Sequence, residues 1–119
     1  MSKKILIVDD EEGIRESLKL ILSDYYEIIL TDGGDQALEV LSHTNDIGIV
    51  LLDIKMRKTH GLDVLKEIKS KHPKVKVIMV TGYKSVETAL EATKLGAVGY
   101  VVKPFKGQEI LETVAKTLI

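Results

Sequence analysis

The chain contains no cysteine among its 119 residues. A disulfide framework, a thiolate nucleophile and a zinc–thiolate site are all excluded by that absence. Tryptophan is also missing and aromatics make up 4% of residues, which leaves little for stacking on nucleic acid bases. Neither sign of charge dominates: 17 Lys and Arg face 18 Asp and Glu, for a formal net charge of −1. No global field would draw the chain to nucleic acid or to an anionic membrane. No apolar run approaches the roughly 20 residues that span a bilayer. Met1-Ser2-Lys3-Lys4 is followed by only four apolar residues before Asp9, too short a run for a signal peptide. Linkers, repeats and low-complexity tracts are lacking too. The expectation is one soluble, cytoplasmic domain over residues 1–119.

What is present is an alternation. Short apolar runs occur at Ile5 to Val8, Ile28 to Leu30, Ile47 to Leu52, Val75 to Val80 and Tyr100 to Val102. The third is continuous and rich in β-branched residues, as a strand buried on both faces should be. The fourth reads as alternating at Val75, Val77 and Met79. Between the runs lie helical spacings: Ile14, Leu18, Ile21 and Leu22; Ala37, Leu38 and Leu41; Leu62, Leu65 and Ile68; Val86, Ala89, Leu90 and Thr93; Ile110, Leu111, Val114 and Leu118. Each set predicts one buried helix face. Ser85 with Thr88 is a helix start, and Gly96 is placed to follow a helix end. Five β-α repeats predict an α/β fold, a five-stranded parallel sheet with helices on both faces. With five strands, the flavodoxin-like order 2-1-3-4-5 is favoured over the six-stranded dinucleotide fold.

The chemistry follows the strands. The runs end at Asp9-Asp10, Asp53, Thr81 and Lys103, and a parallel sheet brings all of these to one edge, where open α/β folds bind ligands. Two carboxylates about 4 Å apart repel by about 4 kcal/mol at an effective dielectric of 20, so a converging acid trio calls for a cation. Mg²⁺ suits it, because that ion takes oxygen ligands and phosphate oxygens. Lys103 adds a second positive charge and Thr81 a hydroxyl. The set suits phosphoryl transfer, where catalysis is positioning and charge neutralisation. Without cysteine, the nucleophile would be a carboxylate. Asp53 is the choice, because it follows the most buried run, while Asp9 and Asp10 are better placed to hold metal.

Four segments carry a family resemblance: Val8-Asp9-Asp10-Glu11, Leu52-Asp53-Ile54-Lys55-Met56, Met79-Val80-Thr81-Gly82-Tyr83 and Gly99-Tyr100-Val101-Val102-Lys103-Pro104-Phe105. Over its whole length the chain resembles the receiver domain of two-component response regulators. The resemblance implies that Asp53 accepts a phosphoryl group from a phosphohistidine on a sensor histidine kinase or phosphotransfer protein. It implies that Asp10, Asp53 and the Lys55 backbone carbonyl ligate Mg²⁺ or Mn²⁺, with Asp9 holding a metal-bound water. Lys103 would bind the phosphoryl group, Thr81 would hydrogen-bond it, and Tyr100 would turn inward as Thr81 moves. The Lys103-Pro104 bond would be cis. A face made by the fourth helix, fifth strand and fifth helix, including Lys84 to Leu95 and Tyr100, would report the change to an output domain or effector, or pair in a homodimer. Neither enzymatic turnover of a separate substrate, nor direct nucleic acid binding, nor membrane association is implied. The stretch from Val86 to Ala97 is similar to receivers that precede transcriptional output modules.

One segment departs from the pattern. Receivers usually continue Asp-x-x-Met with Pro-Gly-x-x-Gly; here Arg57-Lys58-Thr59-His60-Gly61 follows. The added cations are expected to draw in small phosphodonors. Lys55 and Tyr83, both bulky, flank the acceptor and the Thr and are expected to slow loss of the phosphoryl group. Taken singly, each residue has a plainer reading. Asp9-Asp10 could cap the first helix, Asp53 could be a turn residue, Thr81 a strand end and Lys103 a solvated loop lysine. Tyr100 could be core with its hydroxyl outside. His43, His60 and His72 lack ligand spacing and read as surface, with His60 near the site. Three alternatives compete with the switch. A haloacid-dehalogenase-type phosphatase also uses Asp and Mg²⁺ but needs Asp-x-Asp and a cap domain. A flavin or nucleotide carrier would meet repulsion from Asp9 to Glu12. A receiver-like scaffold would never be phosphorylated.

Overall fold

Alternation of short apolar runs with amphipathic stretches builds a sheet covered on both sides. The computed structural model describes residues 3–119; Met1 and Ser2 of the N-terminal stretch lie outside the described residues. The strands are β1 (Lys4–Val8), β2 (Glu27–Thr31), β3 (Ile47–Leu52), β4 (Lys76–Thr81) and β5 (Gly99–Val102). The helices are α1 (Glu12–Leu22), α2 (Gly34–His43), α3 (Gly61–Lys71), α4 (Val86–Lys94) and α5 (Gly107–Leu118). The sheet is parallel in the order β2-β1-β3-β4-β5, the order expected.

Period-two geometry sends alternate residues of each central strand to opposite faces. Leu6, Val8, Val50, Leu52, Val77 and Met79 face one core, shared with α2 and α3. Ile5, Ile7, Ile49, Leu51, Ile78 and Val80 face the other, shared with α1 and α5. The alternating reading of β4 is therefore corrected: Ile78 and Val80 are as buried as Val77 and Met79. Strands covered on both sides have no solvent face to keep polar.

Four of the five expected helix faces are the buried ones, as at Leu18 and Leu22, Ala37 and Leu41, Leu62, Leu65 and Ile68, and Ile110 and Val114. Helix α4 is the exception. Val86 and Leu90 are exposed by 73% and 57%, and only Ala92 is fully buried. The inward stripe is Thr88, Ala92 and Leu95, at i, i+4 and i+7. Ser85 caps this helix by accepting from the Thr88 amide. Gly96, at φ +108°, ends it: its amide bonds the Thr93 carbonyl and the Ala97 amide bonds that of Ala92. That closing pattern requires a residue in the left-handed region, which glycine adopts without a Cβ penalty.

Candidate functional site

Thr81 ends β4, and Asp9, Asp53 and Lys103 sit on extensions of the sheet ladder, not on free loops. Past the last strand residues, the Asp9 amide still bonds the Thr31 carbonyl at 3.2 Å, the Asp53 amide that of Val8 at 3.0 Å, and the Lys103 amide that of Thr81 at 2.8 Å. Backbones held this way aim their side chains with little freedom. Gly61 keeps the acceptor's loop tight: its amide bonds the Ile54 carbonyl at 2.6 Å, and a Cβ there would run into the Asp53 carbonyl.

Asp9, Asp10 and Asp53 each present an oxygen within 4.8 Å of the others. Asp9 and Asp53 are buried, while Asp10 is partly exposed. Lys103 sits among them. Its Nζ is 2.8 Å from Asp9 Oδ2, 3.3 Å from Asp53 Oδ2 and 3.4 Å from Glu11 Oε1. Burial alone would lower the lysine's affinity for its proton, but the hydrogen bond to Asp9 and the nearby charges of Asp9, Asp53 and Glu11 outweigh it, and its pKa is raised. Burial also raises the Asp9 carboxyl, only partly offset by the bond from Lys103 and the Glu11 amide. The two shifts differ in origin: burial lifts the Asp9 carboxyl, whereas the surrounding carboxylates lift the Lys103 ammonium against its own burial. The donor set is all oxygen, which is what a hard divalent cation takes.

The rest of the set surrounds a cleft of about 290 Å³ lined by Glu11, Asp53, Lys55, Thr81, Gly82, Tyr83 and Lys103. Thr81 is buried, and its hydroxyl accepts from the Tyr83 amide at 3.3 Å. Tyr100 is half-buried against the α2–α3 core, and its hydroxyl donates to the Tyr83 carbonyl at 2.9 Å. Burial, then the Asp53 and Tyr83 charges, raise its pKa. The Lys103-Pro104 bond is cis.

The sequence model of the response regulator receiver domain matches residues 5–115. This chain belongs to the response regulator receiver family. Transcriptional regulatory protein ZraR of Escherichia coli K12 is 38% identical over 115 residues, covering 96% of this chain and 26% of ZraR. Response regulator protein FleR of Pseudomonas aeruginosa is 33% identical over 117 residues, 98% of this chain and 24% of FleR. The receiver thus spans about a quarter of the length of these curated relatives. Among solved structures, a CheY-like receiver domain protein from Methanospirillum hungatei superposes with a TM-score of 0.93 at 33% identity, covering 99% of this chain and 94% of the other. The NtrX receiver domain from Brucella abortus gives 0.90 at 36% identity, covering 96% and 97%.

Several features of this receiver were not anticipated. Asp9 and Asp10 do not cap α1; its N-cap is Glu11, which makes no side-chain cap bond. Asp9 Oδ1 instead accepts from the Glu11 amide, one residue before the helix, at 2.9 Å. Arg15 reaches back to the Asp9 carbonyl at 2.8 Å, and the Ile54 amide donates to Asp53 Oδ1 at 2.8 Å. His60 caps α3, its Nδ1 accepting from Leu62. His72 is half-buried, not surface, and its Nε2 has no hydrogen-bond partner. The departing loop is tied down. The Arg57 amide donates to Asp10 Oδ2 at 2.8 Å, and the Gly34 amide donates to Thr59 Oγ1 at 3.3 Å. The sequence shows Arg57 as an added charge; nothing in it signals that the amide would matter.

Proposed function

We propose that this receiver is a phosphorylation switch in which Asp53 accepts a phosphoryl group from the phosphohistidine of a sensor histidine kinase or phosphotransfer protein. The observation that supports it best is the lysine shared between Asp9 and Asp53, beside an oxygen trio whose Asp53 lines the cleft. Asp10, Asp53 and the Lys55 carbonyl would hold Mg²⁺ or Mn²⁺, and Asp9 a water on it. Bound there, the ion would neutralise charge on the transferring group. An Asp53 oxygen forms the new P–O bond as the P–N bond breaks. The imidazole nitrogen keeps the bonding pair and takes up a proton. Lys103 would pair with a phosphoryl oxygen and Thr81 donate to another.

The switch would then run through Thr81. A hydroxyl drawn to the phosphoryl group stops accepting from Tyr83, and Tyr100, bonded to the Tyr83 carbonyl, would turn inward. That biases a two-state equilibrium on the α4-β5-α5 face, read by an output domain, an effector or a second copy. Transcriptional control is the output that the regulatory relatives suggest. On this reading the receiver domain is cytoplasmic, turns over no separate substrate and contacts neither DNA nor membrane itself; no helix among the described residues is long and apolar enough to cross a membrane. The test is chemical trapping. After treatment with acetyl phosphate and Mg²⁺, borohydride reduction should convert Asp53, and no other residue, to homoserine in a peptide map. Reduction at Asp9 or Asp10 instead would overturn the assignment.

A further inference from the structure

Charge on the loops at the carboxyl edge of the sheet is sorted by strand. The loops after β1 and β2, residues 9–11 and 32–33, hold Asp9, Asp10, Glu11 and Asp32 and neither lysine nor arginine. The loops after β3, β4 and β5, residues 53–60, 82–85 and 103–106, hold Lys55, Arg57, Lys58, Lys84, Lys103 and Lys106, with Asp53 their one acid. Strands β2 and β1 are neighbours in the sheet, and so are β3, β4 and β5. The edge therefore divides into an acidic half and a basic half, with Asp53 at the border. First helical turns add Glu12 and Asp35 to the acidic half, while Asp63, Glu87 and Glu109 offset part of the basic one. Lys55, Arg57, Lys58, Lys84 and Lys106 are all exposed. Arg57 meets Asp10 through a side chain that is 86% exposed, and ion pairs this open contribute little. The other four have no ion-pair partner among the described residues.

A phosphodonor is an anion, and the centre of the site does not attract it. The four carboxylates of Asp9, Asp10, Glu11 and Asp53 outnumber the charges of Lys103 and a divalent cation together. Attraction is left to the rim. Of its exposed cations only Lys55 lines the Asp53 cleft; Arg57 and Lys58 line a neighbouring cleft of about 400 Å³, and Lys106 stands on the α5 side. Arg57 and Lys58, expected to draw in small phosphodonors, thus lie where only a donor larger than the cleft would cover them. We propose that the basic half of the rim is the docking surface for an acidic face of the phosphohistidine protein, seated over the loops after β3, β4 and β5 with its phosphoryl group in the cleft. The inference rests on the phosphotransfer reading above and deepens it, giving the partner's charge and its side of approach. Charges so placed steer encounter and set its salt dependence.

Three donors test it on the full chain in Mg²⁺ buffer, with labelling followed by intact mass: acetyl phosphate, and two synthetic peptides of equal length bearing one phosphohistidine between glutamates or between lysines. Two quadruple variants remove equal charge. Arg57→Gln with Lys58→Gln, Lys84→Gln and Lys106→Gln strips the rim. Lys71→Gln with Lys74→Gln, Lys94→Gln and Lys116→Gln strips exposed lysines at the opposite edge. Surface changes of this kind leave stability nearly unaltered. At low salt the glutamate peptide should label wild type faster than the lysine peptide does. The rim variant should take label from the glutamate peptide about tenfold more slowly than wild type, the low end for electrostatic steering. That gap should close near 1 M salt, where the screening length is about 3 Å. The opposite-edge variant should match wild type, and the rim variant should lose far less with acetyl phosphate, which fits inside the cleft. Equal rates for the rim variant and wild type, or faster labelling by the lysine peptide, would overturn the inference. An equal loss in the opposite-edge variant would reduce the effect to net charge and overturn it too. So would an equal loss with acetyl phosphate, which would make the rim a funnel for small anions. In each of these cases the phosphoacceptor stands. No labelling of Asp53 by any donor would overturn the phosphotransfer reading and this inference together.

Discussion

Lys103 Nζ lies 3.3 Å from Asp53 Oδ2, across 50 residues of sequence. The pair brings the ends of β3 and β5 to one point, although β4 lies between them in the sheet. It also makes the lysine the cation shared by the two buried carboxylates, Asp9 and Asp53. Lys103→Met is therefore expected to destabilise the metal-free protein by about 3 kcal/mol, the low end for breaking a buried pair. The sign with pH follows from the raised lysine pKa. A folded value above the unfolded 10.5 means stability fully present below about pH 10.5 and lost as the pH climbs through the folded value. Denaturant titrations should show the wild-type advantage constant from pH 7 to 9 and shrinking above about 10.5. An advantage that grew with alkali would contradict this account of the pair.

Gly61 bears on the same carboxylate from the backbone side. Its would-be Cβ meets the Asp53 carbonyl and the Ile54 Cα, rigid backbone that cannot step aside. Gly61→Ala should cost about 1–3 kcal/mol or more, as overpacking does, and should slow phosphorylation by displacing Asp53. Thermal unfolding together with the labelling rate checks both. Gly13→Ala, with nothing within 4 Å of its Cβ, serves as the comparison.

Metal should stabilise the fold by linkage. Mg²⁺ at 100 times its dissociation constant would contribute about 2.7 kcal/mol, seen as a higher unfolding midpoint. Asp10→Asn should lose most of that increment. Its metal-free form is expected to be no less stable than wild type, because one of three crowded charges has gone. An equal Mg²⁺ shift in Asp10→Asn would remove Asp10 from the ligand set.

The sheet order and the site were legible in the sequence for one reason. Strand ends in a parallel sheet share an edge, so Asp9, Asp53, Thr81 and Lys103 converge whatever the loops do. Features carried by backbone or by small residues were not legible. Helix α4 packs through Ala92, while Val86 and Leu90 stay outside; a hydrophobicity pattern follows the larger residues and picks the wrong face. In β4, Val75, Val77 and Met79 suggested an alternation that coverage on both faces cancels. The Arg57 contact is a hydrogen bond from its backbone N–H to Asp10, and a backbone N–H has no side-chain signature.

Lys55 and Tyr83 line the cleft beside Asp53. Their bulk should keep water from the acyl phosphate, so decay of the phosphorylated receiver should be slow. The double variant Lys55→Asn, Tyr83→Glu should decay faster in Mg²⁺ buffer, measured as the loss of the +80 Da species expected for phosphorylation, with time. Equal decay would place the barrier to water elsewhere in the cleft.

The central claim is that Asp53 is a metal-dependent phosphoacceptor, and intact-mass spectrometry after incubation with acetyl phosphate tests it most directly. Wild type with Mg²⁺ is predicted to gain one phosphoryl group, and neither wild type without divalent metal nor Asp53→Asn should gain any. A folded wild type that binds Mg²⁺ yet stays unlabelled by acetyl phosphate and by phosphohistidine donors, or an Asp53→Asn variant labelled as fully as wild type, would contradict it.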